Sequence, residues 1–333
     1  MALTKQQIAM IGVYGELPNS VTNFFTRRIA RGVIPFITNM TTISFEEVEK
    51  FAKNAKILQR GAEFPAVKLN GSTIKAVTPE IIKSSIPFYA EDQLNRQPGQ
   101  VTYINGKAVD NSTYERDRRI SSIKMSIETV KEEISAGVML RGSYKSPDTK
   151  NEVKFSKFPT GTSVAKTTIK NWGIFTTQKV NDFNKENKAQ VSEILVGEDV
   201  FFDIIKEHNS QNNVMFPATP KRVQAQDGQW ELQVEAFGFT YTLIPTSTDT
   251  EGKTIDTKNY FMLFNDLAFL PTYAGVVNVN NGVATMEAID VLVRETPANS
   301  KTGESETLGE SGYCPVIPNP SLINLYKVTG LNG

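Results

Sequence analysis

The residue types that catalyse reactions or hold metals are scarce in this chain. There is one histidine, His208, in "DIIKEHN", and one cysteine, Cys314, in "SGYCPVIPNP". A histidine or thiolate metal site needs several such ligands, and no cluster of them exists in the sequence. A Ser-His-Asp triad would have to use His208, and no G-x-S-x-G elbow accompanies it. His208 is expected as a polar residue on the solvated side of a helix near its end. Cys314 has no cationic neighbour in sequence to lower its pKa, so it is expected as a small buried hydrophobe. The stretch "PTGTSVAKTT" (159–168) comes near a phosphate loop, but the two glycine positions of that motif are Thr160 and Ala165. The backbone cannot wrap a phosphate there, and a surface loop rich in Ser and Thr is the better reading. Acidic residues occur throughout, and nothing singles out a catalytic pair. The sequence therefore implies no catalytic residue, no metal and no cofactor.

Cationic side chains form the other conspicuous set. "RGAEFPAVKLNGSTIKAVTPEIIKSS" (60–85) alternates like a strand and carries Arg60, Lys68, Lys75 and Lys83, with too few large apolar residues for a buried sheet. Asn70-Gly71 supplies the backbone of a tight turn. Residues 43–88 thus read as a long β-hairpin with a basic, weakly hydrophobic body. A two-stranded ribbon is marginal alone, and its open edges invite another chain. These four residues are the candidate inter-subunit contacts.

The elements that position the ribbon follow it. "NSTYERDRRISSIKMSIETVKEEISAGVMLRGSY" places Ile120, Ile123, Ile127, Val130, Ile134 and Val138 at spacings of three and four, one continuous apolar stripe. A helix is expected over about 113–141, capped by Ser112 or Thr113 and stopped by Gly142. Arg116, Arg119, Lys124, Glu128, Lys131 and Glu132 lie off the stripe and read as a charged exposed face. Upstream, residues 1–20 read as an arm without firm periodicity. Pro35 breaks any helix in the aromatic and basic stretch 21–37. Downstream come a turn at Pro147-Asp148, a strand at Val153 and Phe155, and a loop leading to a short polar helix at "NDFNKENKAQ". A buried strand at Ile194, Leu195 and Val196 then turns at Gly197 into an amphipathic helix. One or two strands in "GQWELQVEAFGFTYTLIP" and a buried strand at 260–264 follow. "NSKTGESETLGESG" (299–312) reads as a flexible acidic loop, and Leu322, Leu325 and Val328 mark a closing strand.

The chain has 333 residues, 39% of them hydrophobic and 22% charged, with 36 cationic and 36 anionic side chains. That is enough for two domains and a core. A neutral chain does not advertise nucleic-acid binding. One cysteine forms no internal disulfide, so a secreted disulfide scaffold is excluded and a reducing compartment is expected. No signal peptide and no membrane span are expected. The Asn-x-Ser/Thr matches at Asn39, Asn70 and Asn111 read as chance.

The order of parts resembles the major capsid proteins of tailed phages, and most closely the lambda-like major capsid protein E family. The stretches that carry the resemblance are "FFTRRIARGVIPF" before "ISFEEV", "GSTIKAVTPEIIKSSIPF", the long helix with its Gly142-Ser143-Tyr144 exit, "ILVGEDVFFDIIKEHN", "DTKNYFMLFND" and "PVIPNPSLINLYKV". The resemblance implies an α+β Hong Kong 97-type fold. Its parts would be an N-terminal arm and lead-in (1–42), an extended β-loop (43–100), a peripheral domain with the spine helix (101–180 plus 313–333) and an axial domain (181–312). It implies a structural, non-enzymatic protein that self-assembles into the hexamers and pentamers of an icosahedral shell, formed in the host cytoplasm and found in the virion. The implied partners are further copies of the chain, a scaffold protein, a portal, a decoration protein and packaged double-stranded DNA. It argues against Lys–Asn cross-links between subunits. Residues 246–258 and 299–312 depart from the pattern and leave room for surface features. An encapsulin-like compartment, a tail-tube or adhesin-like protein and a carboxylate enzyme remain as other readings, the first sharing the same fold.

Overall fold

The computed structural model describes residues 3–17, 21–48, 72–89, 103–104, 107–108, 111–146, 151–211, 216–225, 229–280, 282–299 and 303–331. Arg60, Lys68, the Asn70-Gly71 turn and the Pro147-Asp148 turn lie outside the described residues. Five α-helices are present among those described: α1 (Lys5–Glu16), α2 (Phe24–Ala30), α3 (Asn111–Arg141), α4 (Trp172–Asn187) and α5 (Glu198–Asn209).

Helix α3 is the spine that the apolar spacing predicts. It runs 31 residues, about 46 Å at 1.5 Å per residue. It starts at Asn111, so Ser112 and Thr113 fall inside its first turn. Its stop is as expected: Gly142 takes φ +67°, a left-handed conformation that a side chain resists, and its N–H donates to the Val138 carbonyl at 3.0 Å.

The apolar stripe serves two cores. Ile120, Ile123 and Ile127 pack with Met10 and Tyr14 of α1 and with Val291 and Val293 in a small cluster. Ile134 and Val138 belong to the main core, with Val130 half-buried against it. Under the stripe lies a three-stranded antiparallel sheet in the order Leu292–Glu295, Ser305–Ser311, Ile82–Phe88. Its central strand is the stretch expected to be a flexible acidic loop. Thr307, Gly309 and Ser311 are buried there. An added Cβ on Gly309 would sit 2.3 Å from Ile123 Cγ2, so the helix rests directly on the strand backbone. The small side chains that made this stretch look loop-like are the ones a helix can approach.

The larger sheet has seven strands in the order Lys221–Gln224, Trp230–Ala236, Phe239–Leu243, Glu193–Val196, Tyr260–Phe264, Ile323–Thr329 and Thr162–Ala165. Every residue of Tyr260–Phe264 is buried, as its unbroken apolar run predicts. Trp172 of α4 stacks on Phe261 at 5.9 Å, with Phe175 edge-on to both rings. Helix α4 therefore starts at Trp172, ahead of the expected short polar helix, with the Asn171 side chain accepting from Ile174 N–H at 3.1 Å. Helix α5 follows Glu193–Val196 through Gly197, as read from the sequence. The closing strand sits between Tyr260–Phe264 and Thr162–Ala165, in the seven-stranded sheet rather than beside the spine. The sheets thus cross the expected boundaries at 180 and 312.

The N-terminal region is more ordered than its weak periodicity suggests. A reciprocal capping box starts α1: Gln7 N–H donates to Thr4 Oγ1 at 3.2 Å and Thr4 N–H to Gln7 Oε1 at 2.9 Å. Helix α2 ends before Pro35, consistent with the break expected there.

Candidate interaction surfaces

The candidate inter-subunit lysines do not share one ribbon. Strands Ile43–Val48 and Ser72–Val77 do pair antiparallel, from Ile43 opposite Val77 to Val48 opposite Ser72. Lys75 lies on this ribbon, half-buried, with Nζ 2.7 Å from Ser156 Oγ of the same chain. Residues 49–71, which join the two paired strands, lie outside the described residues. Lys83 belongs to Ile82–Phe88, which has left the ribbon for the three-stranded sheet, where it is exposed and opposite Glu310. The hairpin expected over 43–88 is thus two structures: a ribbon of 43–48 with 72–77, and an edge strand of another sheet.

The expected charged face of α3 is not a solvent face. Helices α1 and α2 cover it at Lys124 and Glu132, and these two charges cap them. Lys124 is buried, and its ammonium donates to the carbonyls of Leu17 at 2.6 Å and Tyr14 at 2.7 Å, at the C-terminus of α1. This puts a cation at the negative end of a helix dipole. Burial lowers the Lys124 pKa, and Lys131 adds to the fall against the pull of Glu128. Two turns on, Glu132 accepts from the backbone N–H groups of Phe25 and Thr26, each at 2.9 Å, at the N-terminus of α2. The cap residue Asn23 makes no such bond itself, so the spine supplies the cap. Burial raises the Glu132 pKa, and the hydrogen bonds from Phe25 and Thr26 only partly offset it. Tyr14 Oη donates to Glu128 at 2.9 Å. Arg119 lies 3.9 Å over the Phe88 ring.

Helix α2 is locked on its other side by ions. Arg28, almost fully buried, pairs with Glu193 at 2.6 Å and Glu231 at 2.8 Å. Arg31 pairs with Glu193 at 3.0 Å and Asp266 at 2.6 Å, and Arg27 with Glu231. Burial opposes ionisation of Glu193, but Arg28 and Arg31 outweigh it and hold its pKa below the usual carboxylate value. The three arginines, Glu193 and Glu231 line a cleft of about 800 Å³. Each arginine is paired with an acid, Arg31 also with Asp266 beside the cleft, which makes it a fastening rather than a binding site for a charged ligand.

The residues that could have done chemistry are spoken for structurally. His208 is half-buried near the end of α5, accepting at Nδ1 from Phe237 N–H at 3.3 Å and standing edge-on to the Phe237 ring. Cys314 is fully buried, and burial pushes its thiol pKa up to about 11. Lys166, the lysine of the near-miss phosphate loop, pairs with Asp203 at 2.7 Å and Glu207 at 2.8 Å. Among the described residues no group of three or more His, Cys, Asp or Glu side chains is placed to hold a metal ion. No described helix is long and apolar enough to cross a membrane.

The whole arrangement matches a solved phage protein. A protein of an Escherichia coli CFT073 prophage, assigned as its capsid protein, superposes with a TM-score of 0.57 over 99% of this chain and 100% of its own, at 11% sequence identity. The chain has the Hong Kong 97-type capsid fold. The mature capsid protein of bacteriophage PhiM1 superposes at TM-score 0.48, 10% identity, over 95% of this chain and 90% of its own. The encapsulin of Synechococcus elongatus PCC 7942 does so at 0.48 and 11%, over 100% and 99%. No protein-family model and no curated sequence matches the chain. Within this capsid fold, the spine helix and the ribbon are marked in the sequence and the caps that α3 supplies are not. The Thr4-x-x-Gln7 box was the available signal for α1. The pairing of Lys124 and Glu132 with helix ends has no signature in sequence.

Proposed function

We propose that this chain is the major capsid protein of a tailed double-stranded DNA phage, a structural protein without catalytic activity. Many copies would form hexamers and pentamers and close into an icosahedral shell. The observation that carries this reading is the superposition, end to end in both chains, on a prophage protein assigned as a capsid protein. The fold suits the task. One helix ties two cores together, the N-terminal helices are fastened along it, and a narrow ribbon runs out from the main core, where its Ile43 and Phe45 are buried. In this reading the ribbon, with Arg60, Lys68 and Lys75, crosses to a neighbouring copy, and Lys83 offers a second cationic contact on the three-stranded sheet. Such charges set register more than affinity. The peripheral domain is built on α3 and the three-stranded sheet, and the axial domain on the seven-stranded sheet. Balanced charge suits an inner wall along which DNA must slide. Scaffold, portal and decoration proteins complete the partners, the shell assembles in the host cytoplasm, and no covalent cross-link joins the subunits.

Sedimentation velocity of the purified chain, alone and co-expressed with a candidate scaffold protein, tests the proposal. A narrow megadalton boundary, or a discrete hexamer, supports it. A monomer under both conditions at high concentration overturns it. Particles that carry a protein cargo would move the reading to a compartment shell, and a ladder on denaturing electrophoresis would overturn the absence of cross-links.

A further inference from the structure

Among the stretches of the chain without charge, two meet in the fold. Residues 32–45 and 267–286 contain no Asp, Glu, Lys, Arg or His. At the overall charged content of 22%, about seven such residues would be expected in them. The fold brings the two stretches together. Phe36–Ile37 pairs in parallel with Thr272–Tyr273, and Gly275 N–H donates to the Met40 carbonyl at 2.8 Å. A Cβ on Gly275 would lie within 3 Å of both the Asn39 backbone and Met286 Cε.

Beyond this contact the second stretch forms a two-stranded ribbon, Val276–Asn280 with Val283–Glu287. The inner face holds Val276 and the polar Asn278, both fully buried, and Asn278 accepts from Gln7 Nε2 of α1 at 2.9 Å. The outer face holds Val277 and Val279, opposite Met286 and Ala284. Val277 is 44% and Val279 47% exposed. Ile34, Phe36, Ile37 and Met40 of the first stretch are exposed as well. Together these six side chains present on the order of 600 Å² of apolar surface, the upper end for a monomer, against roughly 800 Å² per partner in a standard interface.

We infer that this charge-free face is buried against a second copy of the chain. The inference rests on the shell reading above, which supplies the copies. Depletion of charge at the centre of a patch is the mark of a protein interface. A lipid surface would need cations beside the apolar residues, and these stretches hold none. Phe36–Ile37 and both strands of the ribbon also pair with no further strand on their outer edges among the described residues. A neighbouring polypeptide satisfies such edges, whereas lipid does not. An uncharged face meets its own kind without like-charge repulsion, and its area approaches what a stable contact between copies requires.

The test places a single accessible thiol in the face, since Cys314 is fully buried. Val279→Cys protein is treated with a maleimide dye as assembled particles and as subunits dissociated from them. The introduced thiol is expected to react at least tenfold more slowly in particles. Equal rates overturn the inference. In parallel, the Val277→Lys/Val279→Lys variant is expected to keep its circular dichroism spectrum and lose the fast-sedimenting boundary. Assembly at the wild-type level overturns the inference too. If wild-type protein forms particles but either result goes against the face, the shell reading stands and only this contact falls. If wild-type protein remains monomeric, both fall.

Discussion

Gly309 sets how closely the spine helix approaches the sheet beneath it, and Gly309→Ala measures that approach. The new Cβ would lie 2.3 Å from Ile123 Cγ2 and 3.0 Å from Ile127 Cδ1. Carbon atoms prefer about 3.5–4.0 Å, so more than 1 Å must be found. The strand cannot supply it easily, because Ser305–Ser311 is paired on both edges. The strain falls on Ile123 and α3, at about 1–3 kcal/mol for an overpacked core. Ile123→Ala alone should cost about 2–5 kcal/mol, since Ile123 is fully buried. In the double variant the new methyl enters space that Ile123 vacates. The double variant is therefore expected to be more stable than the sum of the single changes by about 1–3 kcal/mol. Urea unfolding of unassembled subunits, followed by tryptophan fluorescence and circular dichroism, completes the cycle. Additivity within about 0.5 kcal/mol, or a Gly309→Ala protein as stable as wild type, would refute the contact and with it the strand.

Other substitutions test the fastenings of α2. Arg28→Met leaves Glu193 and Glu231 buried with weaker compensation and should cost about 3–5 kcal/mol in the same assay. Glu193 has a depressed pKa, so it stabilises the fold above its unfolded pKa, and that share is lost as pH falls through the folded value. Arg28→Met raises that folded value, so acid unfolding should begin at higher pH; an unchanged acid midpoint would count against the pairing. Glu132 has the opposite sign. Its raised pKa means that its contribution is greatest below the unfolded carboxylate value and declines as pH rises through the folded one. Glu132→Gln removes that decline, so the variant should gain on wild type in urea titrations as pH rises from the unfolded carboxylate value through the raised folded one; a constant difference would refute the burial argument. Cys314 should stay unmodified by a thiol reagent at neutral pH in folded protein and react once urea unfolds it. Rapid reaction in the native state would contradict its burial.

Sequence periodicity made part of this fold legible for a simple reason. The stripe from Ile120 to Val138 and the run Tyr260–Phe264 are long and strongly patterned, and burial demands those patterns. Position on a helix face, however, does not reveal what covers it. Lys124 and Glu132 share the non-stripe side of α3 as expected, yet α1 and α2 cover them, and their charges act on backbone groups more than a hundred residues away in sequence. The strand at 305–311 escaped notice because its packing depends on lacking bulk. Hydrophobicity cannot report a contact made through Thr307, Gly309 and Ser311. The ribbon at 43–48 and 72–77 was visible in its alternation, but its register was not. Nothing in "LNGST" shows that Val48 closes on Ser72, or that Lys83 leaves for another sheet. The charge-free face at 32–45 and 267–286 was present in the sequence throughout, divided between two places that only the fold brings together.

The division of one apolar stripe between two cores gives the spine helix distinct zones of backbone protection. Amide hydrogens around Ile120 to Ile127 can be released to solvent by opening the small cluster with α1, Val291 and Val293. Those around Ile134 to Val138 must wait for the main core to open. Deuterium uptake along this single helix should step at Val130, with the N-terminal half exchanging at the rate of a local opening and the C-terminal half at the rate of global unfolding.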